Sequence, residues 1–169
     1  MSSPDDPRIT AATAADIDAV TDLWVALARG QRDHGSGILA ERNRGAVRES
    51  IARHVVVGEL LVARVGGEAV GFVDFSVDRG GYERDHVRGT VGNLFVAPEH
   101  RGEGIGSALL AAAERGLREA GADVVGLEAM AANERAREFY RAHGYEPHRV
   151  TFTKAVDAAG SDADAPADG

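Results

Sequence analysis

Hydrophobic positions recur along the chain at two different periods, and the changes of period mark the elements. Ile17, Val20, Leu23, Trp24 and Leu27 share one face of a predicted helix, with Thr13 as its N-cap and Asp16 three residues on as the capping-box partner. A short strand is predicted just ahead of it, over Ile9–Ala11, and a second, arginine-rich helix over Ile38–Ile51, interrupted by Gly45. Leu60–Val65 and Ala69–Val77 are β-rich runs meeting at Gly66 and Gly67, the composition of a tight antiparallel hairpin.

A polar loop over Arg79–Arg88 leads into a strand predicted for Thr90–Ala97 and then the glycine-rich loop PEHRGEGIG. A helix over Ser107–Ala120, stopped at Gly121, and a strand over Val124–Ala129 complete a β-loop-α-β unit. Asn133 opens a last helix that carries Ala136, Phe139, Tyr140 and His143 on one face and closes at Gly144. Arg149–Val156 alternates as a final strand.

Composition narrows the chemistry. The chain has 169 residues and no cysteine, which leaves no thiol nucleophile, disulfide framework or cysteine-bound metal. The ends, residues 1–7 and 156–169, are small and acidic and are expected to be disordered, around a single domain over 8–155. Six of the 27 acids lie in those ends or beside them, so the net charge of −8 is mostly terminal and the domain is close to balance. It offers no basic stripe, and no nucleic-acid partner is expected. No run approaches the roughly 18 apolar residues of a membrane span, and MSSPDDPR has no basic start or apolar stretch, so a cytoplasmic protein without a membrane role is expected. Lys154 is the one lysine among 19 basic residues, a pattern shared by high-GC coding bias and salt-adapted acidic surfaces. The six histidines show no ligand spacing, and no metal site is expected.

RGEGIGS lies between an apolar strand and an alanine-rich helix, which points backbone N–H groups and the helix N-terminus into one space. Glycines at 102, 104 and 106 let a phosphate approach the backbone, and Arg101 adds a fixed positive charge. The loop alone fits an anion cradle and also a plain helix start. It is not a Walker loop, because Ser107 and Ala108 stand where Lys and Ser or Thr are needed, and it misses the dinucleotide fingerprint at Ser107 and Leu109.

Arg101, Gly104 and Gly106, with the stretches NLFVAPEHRGEGIGSALL and LEAMAANERAREFYRAHGYE, resemble the acetyl-CoA-binding region of the GNAT acetyltransferase superfamily. The resemblance implies an α+β fold with a mixed, mostly antiparallel central sheet flanked by helices. It also implies that the strand ahead of the loop splays from its neighbour and receives the pantetheine arm at Leu94, Phe95 and Val96. Arg101, Gly102, Glu103, Gly104, Ile105, Gly106 and Ser107 would hold the pyrophosphate, Asn133 would touch the CoA arm, and Tyr140 would stand near the CoA sulfur. Glu128, Asn133, Ala136 and Tyr140 together look like the pattern of the N-terminal protein acetyltransferase branch, where the glutamate is a base. Asn93 departs from the acid found there in many members, which throws weight on Glu128, Glu83 or Asp85.

The activity so implied is N-acetylation, through a ternary complex of acetyl-CoA with a primary amine belonging to a small molecule or a protein N-terminus. Glu128 would need burial or a bridging water to serve as base, and Tyr140 would protonate the departing thiolate. Asp74, Asp78, Glu83 and Asp85 cluster around the second hairpin strand, suiting either a cationic acceptor or a solvated loop. The family is often dimeric, which leaves room for a homodimer. The other reading is a catalytically silent acyl-CoA-binding or interaction module of the same fold.

Overall fold

The computed structural model describes residues 6–156. The strands β1 (Arg8–Ala11), β2 (Leu60–Val65), β3 (Glu68–Val77), β4 (Arg88–Val96) and β5 (Val124–Leu127) form one sheet in chain order. The first four are antiparallel to their neighbours, and β5 joins β4 in parallel. That parallel step needs a crossover, which α3 (Ile105–Glu119) supplies. The architecture is the α+β arrangement expected from the resemblance.

Each face of the sheet carries its own core. Phe72, Val62, Leu60 and Phe95 pack against Val20 of α1 (Ile17–Gln31) and Ile51 of α2 (Arg44–Val57). Val73, Phe75 and Val91 pack on the other face, against Ile105, Leu109, Leu110, Ala113 and Leu117 of α3, with Phe139 and Tyr140 of α4 (Glu134–Ala142) at the margin. Helical spacing in α3 and strand alternation in β3 produce this division. Gly66 and Gly67, at φ 57° and 87°, make the β2–β3 turn as the hairpin signal required. Thr13 donates its N–H to Asp16 at 2.7 Å, and Asp16 also receives Arg64 at 2.6 Å, tying the start of α1 to β2.

Three predicted elements come out differently. The second helix begins at Arg44, so Gly45 falls in its first turn and Ile38 and Leu39 lie exposed ahead of it. Ile51 is its one buried residue, too few apolar positions for periodicity to mark its ends. β5 stops at Leu127, which leaves Glu128 outside the strand. Arg149–Val156 forms no strand: Val150, Phe152 and Val156 are exposed and pair with no strand among the described residues. Alternation shows which residues can share a face, but a strand also needs an edge that accepts it. The expected disorder of the ends falls almost wholly on residues 1–5 and 157–169, outside the described residues.

Two glycines test the packing. A Cβ on Gly116, inside α3, would lie 2.9 Å from the Phe75 ring, whereas one on Gly30 of α1 would meet nothing within 4 Å. Gly116→Ala is therefore expected to cost about 1–3 kcal/mol despite its better helix propensity, and Gly30→Ala to add roughly 0.5–1 kcal/mol, both read by urea denaturation.

Candidate functional site

The site begins where β4 loses its second neighbour. Pairing between β4 and β5 runs from Arg88↔Val124 to Val91↔Leu127 and stops, while β4 continues to Val96 along β3 alone. The separation coincides with a bulge: between Val73↔Leu94 and Phe75↔Val91, β4 holds one more residue than β3. Gly92 and Asn93 form it. The carboxylate of Asp74 occupies the space a Cβ on Gly92 would fill, and it accepts from the Asn93 backbone N–H at 3.2 Å and side-chain Nδ2 at 2.7 Å.

Beyond the bulge the strand's polar groups alternate sides. The Ala97 N–H donates to Val70 on β3 at 2.8 Å, so the N–H and C=O of Val96 point away from β3, into the fork. The Val96 carbonyl accepts from Arg101 Nε at 3.0 Å, as that direction requires. Leu94 is half-buried beside the fork. Phe95 turns its backbone toward Phe72 on β3 and its ring lies in the core on the α1–α2 face, with the Arg101 guanidinium 5.4 Å from its centroid, so the arm-receiving role expected of it falls to Leu94 and Val96.

The loop after β4 turns through Gly102 and Gly104, at φ 82° and 80°, values a side chain would resist. Gly104 caps α3 without a side-chain bond, so the N–H groups of Ile105, Gly106 and Ser107 lack intrahelical partners. Ile105 is fully buried and anchors the helix start. A Cβ on Gly106 would touch Phe139 and Val96 at ordinary contact distance, so α3, α4 and β4 meet there. Glu103, whose charge opposes anion binding, has its carboxylate 3.7 Å from His100 Nδ1. Ser107 bonds His143 Nε2 at 2.9 Å, and His143 Nδ1 lies 2.7 Å from the Phe139 carbonyl. A carbonyl only accepts, so Nδ1 carries a proton, and in the neutral ring Nε2 accepts from the Ser107 hydroxyl.

Arg101 is held below its ordinary pKa, first by desolvation and then by the charge of Arg135 in the first turn of α4. The two guanidiniums repel one another, a repulsion that a bound anion would relieve. Arg135 and the Ser107–His143 bond were not singled out from the sequence, because both depend on how α4 docks on α3.

The remaining expected residues are spread over α4, the end of β5 and the loop between β3 and β4. Asn133 caps α4, its Oδ1 accepting from Ala136 N–H at 3.1 Å, and its Nδ2 makes no hydrogen bond among the described residues. Tyr140 packs edge-on against Phe139 and Tyr145, at centroid distances of 5.3 and 5.9 Å. Burial pushes its hydroxyl above the ordinary tyrosine pKa, and no hydrogen bond engages it among the described residues. Tyr145 is committed elsewhere: its hydroxyl donates to Glu114 at 2.7 Å. Glu128 is exposed, one residue past β5. Glu83 and Asp85 lie on the exposed loop between β3 and β4, with Asp85 bonded to His86 at 2.6 Å. Among the described residues no group of three acidic or histidine side chains is placed to hold a metal, and no helix is long and apolar enough to cross a membrane.

Comparison with known proteins agrees with this geometry. Residues 20–145 match the acetyltransferase (GNAT) family. The chain is 30% identical over 149 residues to the aminoalkylphosphonate N-acetyltransferase of Salmonella typhimurium, covering 86% of this chain and 88% of that one. Its fold is shared with a GCN5-related N-acetyltransferase from Ralstonia eutropha (TM-score 0.72, 23% identity, 90% of this chain and 100% of that one). It is shared also with the aminoglycoside acetyltransferase AAC(6')-Iy, seen with a CoA-linked bisubstrate analogue (TM-score 0.66, 20% identity, 89% and 99%). With the fork, the glycine loop and these relatives in agreement, the chain belongs to the GNAT family and is an acetyl-CoA-dependent N-acetyltransferase.

Proposed function

We propose that the protein transfers the acetyl group of acetyl-CoA directly to a primary amine of a small molecule. The observation that carries this reading is the fork itself, a strand half stripped of its partner that runs into a glycine loop holding Arg101. Leu94 and Val96 offer the arm of CoA an open backbone edge. Arg101, Arg135 and the free N–H groups from Gly102 to Ser107 neutralise its pyrophosphate, and Asn133 Nδ2 is free to reach the arm. The relatives named for aminoalkylphosphonate and aminoglycoside acetylation favour a small-molecule acceptor over a protein N-terminus.

The chemistry is attack of a neutral amine on a thioester. An alkyl amine of pKa about 10.4 gives up its proton at pH 7 at a cost of roughly 4.6 kcal/mol, so a proton acceptor matters. As the N–C bond forms, charge moves to the carbonyl oxygen, and the Val96 N–H is directed into the fork to meet it. When the C–S bond breaks, Tyr140 donates its proton to the thiolate. Burial keeps that hydroxyl protonated across the working pH range. Glu128, the base that the resemblance implies, is exposed and reaches an amine only through water.

Acetyl-CoA at 100 times its Kd should stabilise the protein by about 2.7 kcal/mol in a thermal-shift assay, with NAD and ATP giving no comparable shift. Arg101→Ala should weaken acetyl-CoA binding by roughly 1.5–3 kcal/mol in calorimetry, with a smaller loss for Arg135→Ala. Tyr140→Phe should lower kcat about 10²- to 10⁴-fold while leaving acetyl-CoA affinity in place. An unchanged kcat would remove Tyr140 from the mechanism. Acetyl-CoA binding with no thiol release from any amine would favour the silent module.

A further inference from the structure

The structure holds a carboxylate that this transfer scheme leaves unused. Asp74 is 8% exposed, in the middle of β3, where an unpaired charge is costly. Its partners explain only part of its presence. Asn93 bonds both of its oxygens, and among the described residues no arginine or lysine pairs with it. A bulge could be held by a neutral side chain at far less desolvation cost.

Its position is specific. The residues it braces, Gly92 and Asn93, are the first on β4 to lack a partner on β5. Gly92 is exposed, so the carboxylate that fills its missing Cβ position borders an open surface. Asp74 follows Phe72 by two residues and therefore faces α1 and α2, whereas Tyr140 packs with the core on the α3 face. A thioester lying in the fork would have Tyr140 toward one side of the sheet and Asp74 toward the other. Those are the two sides from which a sulfur can leave and an amine can arrive.

We infer that Asp74 is the group that receives the acceptor's ammonium and takes its proton, in place of Glu128. This rests on the acetyl-transfer reading. The ammonium gives one proton to the Asp74 carboxylate, and the neutral nitrogen attacks the carbonyl. The C–S bond breaks as the thiolate takes the Tyr140 proton. The amide nitrogen's second proton leaves through water to restore the phenol, and Asp74 returns its own to solvent.

Burial suits Asp74 to this part, because desolvation raises its pKa and so its basicity, against the opposing pull of Asn93 and of the charge on His54. His54, on α2, is the titratable side chain whose charge acts on it, with Nδ1 on the Ser50 carbonyl at 2.9 Å. Asn93 on β4 is neutral. Loss of either the Asn93 bond or the His54 charge would raise the pKa of Asp74 further.

The test is kcat/KM against pH for acetyl transfer to a panel of alkyl amines, for the wild type and for Asp74→Asn, Asn93→Ala, His54→Gln and Glu128→Gln. Acetyl-CoA affinity and melting temperature are measured on each. Asp74→Asn is expected to lose about 10²- to 10⁴-fold in kcat/KM and the acidic limb of the profile, while still binding acetyl-CoA. Asn93→Ala and His54→Gln should keep that limb but move it to higher pH, and Glu128→Gln should leave it in place. A buried clamp without a chemical role would instead lower melting temperature and acetyl-CoA affinity together and move no limb. That pattern, or a limb abolished by Glu128→Gln and retained by Asp74→Asn, overturns the inference. A wild type that binds acetyl-CoA yet acetylates no amine overturns the transfer reading itself, and this assignment with it.

Discussion

The backbone pairing that β4 gives up after Val91 is the feature on which the site depends. Strand edges inside a sheet are normally satisfied on both sides, and an unpaired N–H or C=O away from water costs about as much as a lost hydrogen bond. β4 can leave β5 because the bulge at Gly92 and Asn93 redirects it, and because Asp74 satisfies the Asn93 N–H that the bulge displaces. Past the bulge, a short length of strand is held by β3 on one side and open on the other. An extended ligand with amide groups of its own can complete such an edge, so a cost in sheet pairing becomes a binding surface.

The elements around the fork make one unit with it. The glycine loop continues directly from the open strand, and Arg101 folds back to bond the Val96 carbonyl and cover the Phe95 ring. α3 carries its free N–H groups into the same space and is fixed by the burial of Ile105. α4 closes the other side, with Phe139 against Gly106 and His143 joined to Ser107. Arg101 therefore stands at one end of the fork, while the half-buried Tyr140 and the Asp74 carboxylate lie on opposite faces of the sheet.

The two acidic candidates show why residue type and spacing do not settle a role. Glu128 falls in a recognisable pattern with Asn133 and Tyr140, yet β5 ends one residue before it and leaves it in solvent. Asp74 falls in no motif and reads in the sequence as one of several acids around a hairpin strand, yet it is buried and its pKa is raised. A carboxylate's basicity depends on what surrounds it, and its neighbours here come from β4 and α2, far away in the chain.

Sequence alone determined the local features of this protein. The Gly66–Gly67 hairpin, the Thr13–Asp16 cap, the apolar stripe of α3, the Asn133 cap of α4 and the glycine loop are each set by residues within a few positions of one another, and each was readable there. The resemblance carried by Arg101, Gly104 and Gly106 extended that reading to the fold and the family. Tertiary structure decided what depends on distant partners: where α2 begins, that Arg149–Val156 joins no strand among the described residues, that the charge of Arg135 acts on Arg101, and that Asp74 rather than Glu128 is withdrawn from water. The physical reason is one of range. Turns and caps are closed by bonds between near neighbours, whereas pairing, burial and the electrostatics of a charged group are summed over whatever the fold brings beside it.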